Sequence, residues 1–108
     1  MDPATRSRLE ARARVLKALA HPTRLLVVDA LTEGERSVGE LRDLVGDDLS
    51  TVSRHLAVLR DAGLIVAEKR GNQVFHALTV PCVTDFFGCV ESVLQHQASL
   101  ITDLAAPR

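Results

Sequence analysis

The sequence predicts a mainly α-helical fold carrying one β-hairpin, and three observations predict it. Apolar residues recur at helical spacing through the first 62 residues. Capping residues and glycines punctuate that stretch at short intervals. From Leu64 the period switches to alternation on either side of a Gly71-Asn72 turn, and it switches back after Pro81. The order is helix, helix, helix, helix, hairpin, helix.

Asp2 caps helix one and Pro3 opens it. Leu9, Ala13, Leu16 and Ala20 form one apolar stripe along it. His21-Pro22 ends this helix near Ala20 and starts helix two, Pro22 to about Leu31. Leu25, Leu26, Val28 and Leu31 are expected to be largely buried there, with Gly34 as the stop. Ser37-Val38-Gly39-Glu40 is a capping box, a serine answered by a glutamate three residues on. It opens a short third helix carrying Val38, Leu41, Leu44 and Val45. Gly46-Asp47-Asp48 is a tight turn whose last residue caps helix four, Leu49 to about Ala62, and Gly63 ends that helix. Val52, Leu56 and Leu59 share its inner face. At 100° per residue, Ser50, Arg54, Ala57 and Asp61 lie opposite, flanked by Thr51 and Val58. Leu64–Lys69 and Gln73–Leu78 are the strands, with Arg70-Gly71-Asn72 as the turn. Pro81 opens a last helix reaching about Leu104.

A chain of 108 residues predicts one domain, 1–108, able to bury a core without disulfides or a structural metal. With 46% hydrophobic and 25% charged residues it is neither disordered nor fibrous. Two cysteines are too few for a secreted disulfide framework. The first 25 residues are rich in Arg and Ala and lack the apolar run of a secretory signal. No stretch approaches the ~20 apolar residues of a membrane span. The expectation is a cytoplasmic protein with reduced thiols. The net charge of −1 hides a segregation. Arg6, Arg8, Arg12, Arg14, Lys17 and Arg24 outnumber Asp2 and Glu10, whereas residues 29–48 are strongly acidic. In residues 49–76, Arg54, Arg60, Lys69 and Arg70 face only Asp61 and Glu68. This balance permits a nucleic-acid surface in the third segment without demanding one.

Helices three and four are joined by a few residues and followed at once by a hairpin, which is the pattern of a winged helix-turn-helix. Ser50 and Thr51 are short, so the backbone of helix four can approach a duplex, and their hydroxyls reach bases or phosphates. Arg54 can meet a guanine edge bidentately or a phosphate. Lys69, Arg70, Asn72 and Gln73 cluster at the wing tip, within reach of the backbone or minor groove. The rival interpretation of each charged residue is an ordinary solvated side chain. No nucleophile–base set, phosphate-binding glycine loop or paired carboxylate site stands out, so no enzyme is expected.

Three stretches resemble the ArsR/SmtB family of bacterial winged-helix repressors. Leu16-Lys17-Ala18-Leu19-Ala20-His21-Pro22-Thr23-Arg24-Leu25 is similar to that family's leading segment. Residues 50–65, from Ser50-Thr51-Val52-Ser53-Arg54-His55 to Gly63-Leu64-Ile65, resemble its recognition helix and the start of its wing. Lys69-Arg70-Gly71-Asn72-Gln73-Val74-Phe75 resembles its wing tip. The resemblance implies a homodimer built by the outermost helices, which binds palindromic double-stranded operator DNA and releases it when an inducer binds. Through this motif Ser53 and His55 join the candidate DNA-facing set. His55, flanking the inner face of helix four, also suits a hydrogen-bonded structural role, as does His21. His76 has no assigned role.

The sensor is less plainly written. Arsenic-sensing relatives carry two cysteines on helix three, at positions occupied here by Ser37 and Gly39. The family's zinc site on the last helix fails at Asp85-Phe86-Phe87, and His96 lacks an acidic residue three positions on. Cys82 and Cys89 remain. Cys82, Phe86, Cys89, Val93, His96 and Leu100 form a heptad seam. Seven helical residues rise about 10.5 Å, too far for two thiolates of one helix to share an ion or form a disulfide. A break at Gly88 or Pro81, or an antiparallel mate, would bring thiols together. The candidate inducers are trivalent arsenic or antimony, as arsenite, antimonite or methylarsenite. Arsenite prefers three sulfurs, so two cysteines suit a methylated arsenical or need a third ligand. Thiol oxidation is the competing chemistry. Plain packing cysteines, a constitutive DNA binder and a protein-interaction module are the further alternatives.

Overall fold

A computed structural model describes residues 1–105. The elements are α1 (Pro3–Leu19), α2 (Pro22–Leu31), β1 (Arg36–Ser37), α3 (Val38–Val45), α4 (Leu49–Asp61), β2 (Ile65–Arg70), β3 (Gln73–Leu78) and α5 (Val83–Ala105). The expected order holds, with one addition: a two-residue strand before α3.

That addition makes the wing a three-stranded antiparallel sheet in the order β1-β3-β2. Ile65 pairs with Leu78 and Arg70 with Gln73 across the hairpin, while Arg36 and Ser37 pair with His76 and Phe75. The hairpin turns at Gly71, whose φ of +64° lies in the left-handed region that glycine enters without steric cost.

The core forms where α2, α3, α4 and the sheet meet. Leu19, Val27, Val28, Leu31, Leu41, Val52, Leu56, Leu59 and Ile65 make one buried cluster, with Val38, Val45, Leu64, Leu78, Val83 and Phe87 packed against it. The inner face expected for α4 is the one observed. Two expectations for α2 are corrected. Leu25 and Leu26 are exposed, as is Leu44 of α3, and α2 turns Val27, Val28, Ala30 and Leu31 inward instead. On a helix 100° per residue, Leu25 and Leu26 diverge from that face, so apolarity alone overstated their burial.

α1 and α5 stand largely outside this cluster. The radius of gyration is 17.5 Å, against about 13 Å for a compact chain of this length. Leu9 and Leu16 of the expected α1 stripe are exposed, and Ala18 and Leu19 are the buried residues of that helix. On α5 only Val83 and Phe87 meet the core, leaving Phe86, Val90, Val93, Leu94, Leu100, Ile101 and Leu104 exposed. No helix among the described residues is long and apolar enough to cross a membrane.

Candidate nucleic-acid interface

Local chemistry fixes both helices of the helix-turn-helix. At α3 the Ser37 hydroxyl accepts the Glu40 N–H at 3.1 Å, and the Ser37 N–H donates to Glu40 Oε1 at 3.2 Å, closing the capping box. Gly46 ends α3 at φ +84°. Asp48 caps α4, its Oδ1 accepting the Thr51 N–H at 2.7 Å and the Ser50 hydroxyl at 3.1 Å. The Thr51 side chain, then the Thr51 N–H and the Ser50 hydroxyl, hold its carboxyl below the usual carboxylate range. At the other end the Gly63 N–H donates to Arg60 O and the Leu64 N–H to Leu59 O, with Gly63 at φ +82°. This Schellman turn sends the chain directly into β2.

Ser50, Ser53 and Arg54 are exposed, and Thr51 is half-buried. Arg54 Nη2 donates to Thr51 Oγ1 at 3.4 Å, one turn back on the same helix. Val52, Leu56 and Leu59 are the residues of α4 committed to the core, so the side bearing Ser50 and Arg54 stays open. His55 turns the other way. Its ring lies 4.3 Å from that of His21, tilted by 41°. Burial, then His21, Arg24 and Arg54, push its pKa down, which favours a neutral ring. His55 therefore links α4 to the α1–α2 elbow, in keeping with the structural role also expected of it. His21 takes the hydrogen-bonded structural role expected of it. Its Nδ1 accepts the Thr23 N–H at 3.1 Å, so it is the N-cap of α2. A histidine directly before proline at a helix start was the available signal.

The wing divides its cations. Lys69, Asn72 and Gln73 are exposed at the tip, and no side-chain partner of theirs stands among the described contacts. Arg70 does not share that freedom. Its guanidinium grips both carboxylate oxygens of Glu35, one through Nη1 and the other through Nη2 at 2.9 Å. Nη2 also reaches Glu68 at 2.9 Å, and the guanidinium carbon lies 4.9 Å above the Phe75 ring. These bonds raise the Arg70 pKa and lower that of Glu35. One cation between two carboxylates carries a net charge of −1. In the free chain Arg70 thus ties the wing to the α2–β1 loop instead of standing free like Lys69.

A groove of about 410 Å³ separates α3, α4 and the wing. Its walls include Ser53, Asn72 and Gln73, so the fold brings a candidate of α4 into one cleft with two of the wing tip. Gly39 and Leu49 line it too.

The cysteines lie at the base of α5. Cys89 is on the helix; Cys82 is in the turn that precedes it, where its carbonyl accepts the Asp85 N–H at 3.0 Å. Both thiols are free and exposed. α5 runs unbroken through Gly88, so that route to bringing the two sulfurs of one chain together is not taken. Among the described residues no group of three or more His, Cys, Asp or Glu is placed to hold a metal ion. His76 is buried at the centre of the sheet, neither ring nitrogen has a partner, and burial followed by nearby Arg60 pushes its pKa down.

Residues 19–67 match the family described as a helix-turn-helix domain. The chain is 43% identical to the biofilm growth-associated repressor of Xylella fastidiosa, over 69% of each protein. The solution structure of the homodimeric winged helix-turn-helix DNA-binding domain Mb0332 of Mycobacterium bovis, described as a possible ArsR-family transcriptional regulator, superposes with a TM-score of 0.77. It is 28% identical and the match covers 100% of this chain and 97% of that one. NolR of Sinorhizobium fredii superposes with a TM-score of 0.78 at 29% identity, over 86% of this chain and 93% of that one.

Proposed function

Because this chain belongs to the ArsR family of winged helix-turn-helix transcriptional regulators, we propose that it works as a homodimeric repressor on a palindromic operator. The observation that carries this reading is the open side of α4. Its core residues all point inward, its first turn is capped by Asp48, and its free side carries Ser50, Thr51, Ser53 and Arg54. In a major groove those side chains reach base edges and phosphates. Lys69, Asn72 and Gln73 then hold the flanking backbone. Dimerisation is supported by the apolar residues of α1 and α5 that stand exposed among the described residues. The relatives named as a repressor and as a homodimer agree with it.

The inducer engages Cys82 and Cys89. Both thiols are exposed at the base of α5, the helix whose exposed apolar residues are offered to a second copy, so a soft ligand bound there would act close to the joint between subunits. Two sulfurs satisfy the two open valences of methylarsenite, and arsenite or antimonite would draw on a third ligand. A disulfide between copies is the second reading, favoured by the exposure of both thiols.

The test is an anisotropy titration on duplexes selected from a random pool. The complex is then challenged with methylarsenite, arsenite, antimonite, zinc, cadmium and peroxide. Release by the arsenicals, lost in C82S and C89S, supports the metalloid reading. Release by peroxide with a reducible crosslinked dimer supports the redox reading. Release unchanged in both variants removes the cysteines from the sensor.

A further inference from the structure

Leu49 is the first helical residue of α4, and with Val58 near the other end it is one of two large apolar residues of that helix left exposed. Val52, Leu56 and Leu59 are buried, whereas Leu49 is 48% exposed and outside the core cluster. It lines the groove between α3, α4 and the wing, together with the polar Ser37, Ser53, Asn72 and Gln73. Ser53 follows Leu49 by four residues, so the two share one face. The N-terminal turn of a recognition helix is the part that reaches base edges. Every hydrogen-bonding feature of a base edge is useless to a leucine. The one apolar group that B-DNA presents in its major groove is the thymine C5-methyl.

We infer that Leu49 is a specificity-determining residue that selects thymine in each half-site by contact with its methyl group. The inference rests on the DNA-binding reading above. Asp48 supplies the rigidity it needs: by fixing the Thr51 N–H and the Ser50 hydroxyl it holds the first turn of α4, and with it Leu49, in one position. Thymine is thus distinguished by shape, while Arg54 remains available for a guanine edge or a phosphate.

The experiment replaces the thymines of a pool-selected duplex one at a time by deoxyuridine, which deletes the methyl and leaves every hydrogen-bonding group in place. Burial of one methyl predicts about a fourfold loss of affinity at one thymine per half-site. L49A should bind the thymine and deoxyuridine duplexes equally at that position, and L49Q should do the same while keeping the helical circular-dichroism signal of the parent. Equal affinity of the parent protein for all deoxyuridine duplexes overturns the assignment. So does methyl sensitivity that survives in both variants. If the parent enriches no duplex at all, the DNA-binding reading itself falls, which is a different result from either.

Discussion

Freeing Arg70 from its carboxylates should change how the protein responds to salt. In the folded chain Arg70 is shared between Glu35 and Glu68, so that corner of the wing presents −1 to an approaching phosphate. E35Q/E68Q leaves +1 there and keeps the Phe75 contact. Each phosphate neutralised by a protein cation releases condensed counterions and steepens the plot of log affinity against log salt by about 0.9. One extra cation per subunit of a dimer therefore steepens the slope by about 1.8. Between 50 and 200 mM salt this amounts to an added loss of roughly tenfold relative to the parent. K69Q supplies the opposite control, because removing a free cation flattens the slope by a similar amount. The assay is fluorescence anisotropy on one selected duplex at four or five salt concentrations. An unchanged slope in E35Q/E68Q, together with a flattened slope in R70Q, would refute the reasoning. It would mean that Arg70 already leaves its carboxylates for phosphate when the parent binds.

Three more outcomes are expected. R54A should lose ~1–3 kcal/mol of operator affinity if Arg54 reads a guanine, with unaltered circular dichroism, and an unchanged binding curve would take Arg54 off the interface. L56A should cost ~2–5 kcal/mol of stability through the cavity it leaves, read as a lowered denaturant midpoint; a loss under 1 kcal/mol would mean the core had collapsed around the gap. His76 has a folded pKa below its ordinary 6.5, so the unfolded chain takes up a proton that the folded chain refuses. Stability should therefore be full above pH 6.5 and decline as pH falls below it. His55 is shifted the same way and contributes to the same decline. H76L should shallow the fall in Tm between pH 7 and pH 5.5, and an identical pH profile would clear His76 of the effect.

The readable parts of the fold were those governed by neighbours in the chain. The Ser37–Glu40 box, the Asp48 cap, the Gly63 stop and the Val52-Leu56-Leu59 face each depend on residues within about one or two turns, so spacing alone exposes them. β1 is two residues long and has no periodicity to detect. The Arg70–Glu35 pair joins residues 35 positions apart, and nothing local to the wing tip announces it. The exposure of Leu25 and Leu26 has a different cause. A strongly apolar helix carries no internal mark of which side meets its own core. The direction of His55 was open for a similar reason, since it sits on the border between the inner and outer faces and only the position of His21 decides it.

The two-residue strand has a mechanical consequence. A lone hairpin is pliable, but here its inner strand is clasped by a segment that continues without a break into the capping serine of α3. Wing and helix-turn-helix are therefore one solid stamp. A half-site must be matched by the whole stamp at once, and any slack in an operator can be absorbed only between the two stamps. Inserting a base pair within a half-site should be ruinous, whereas one at the centre of symmetry tests the joint between subunits.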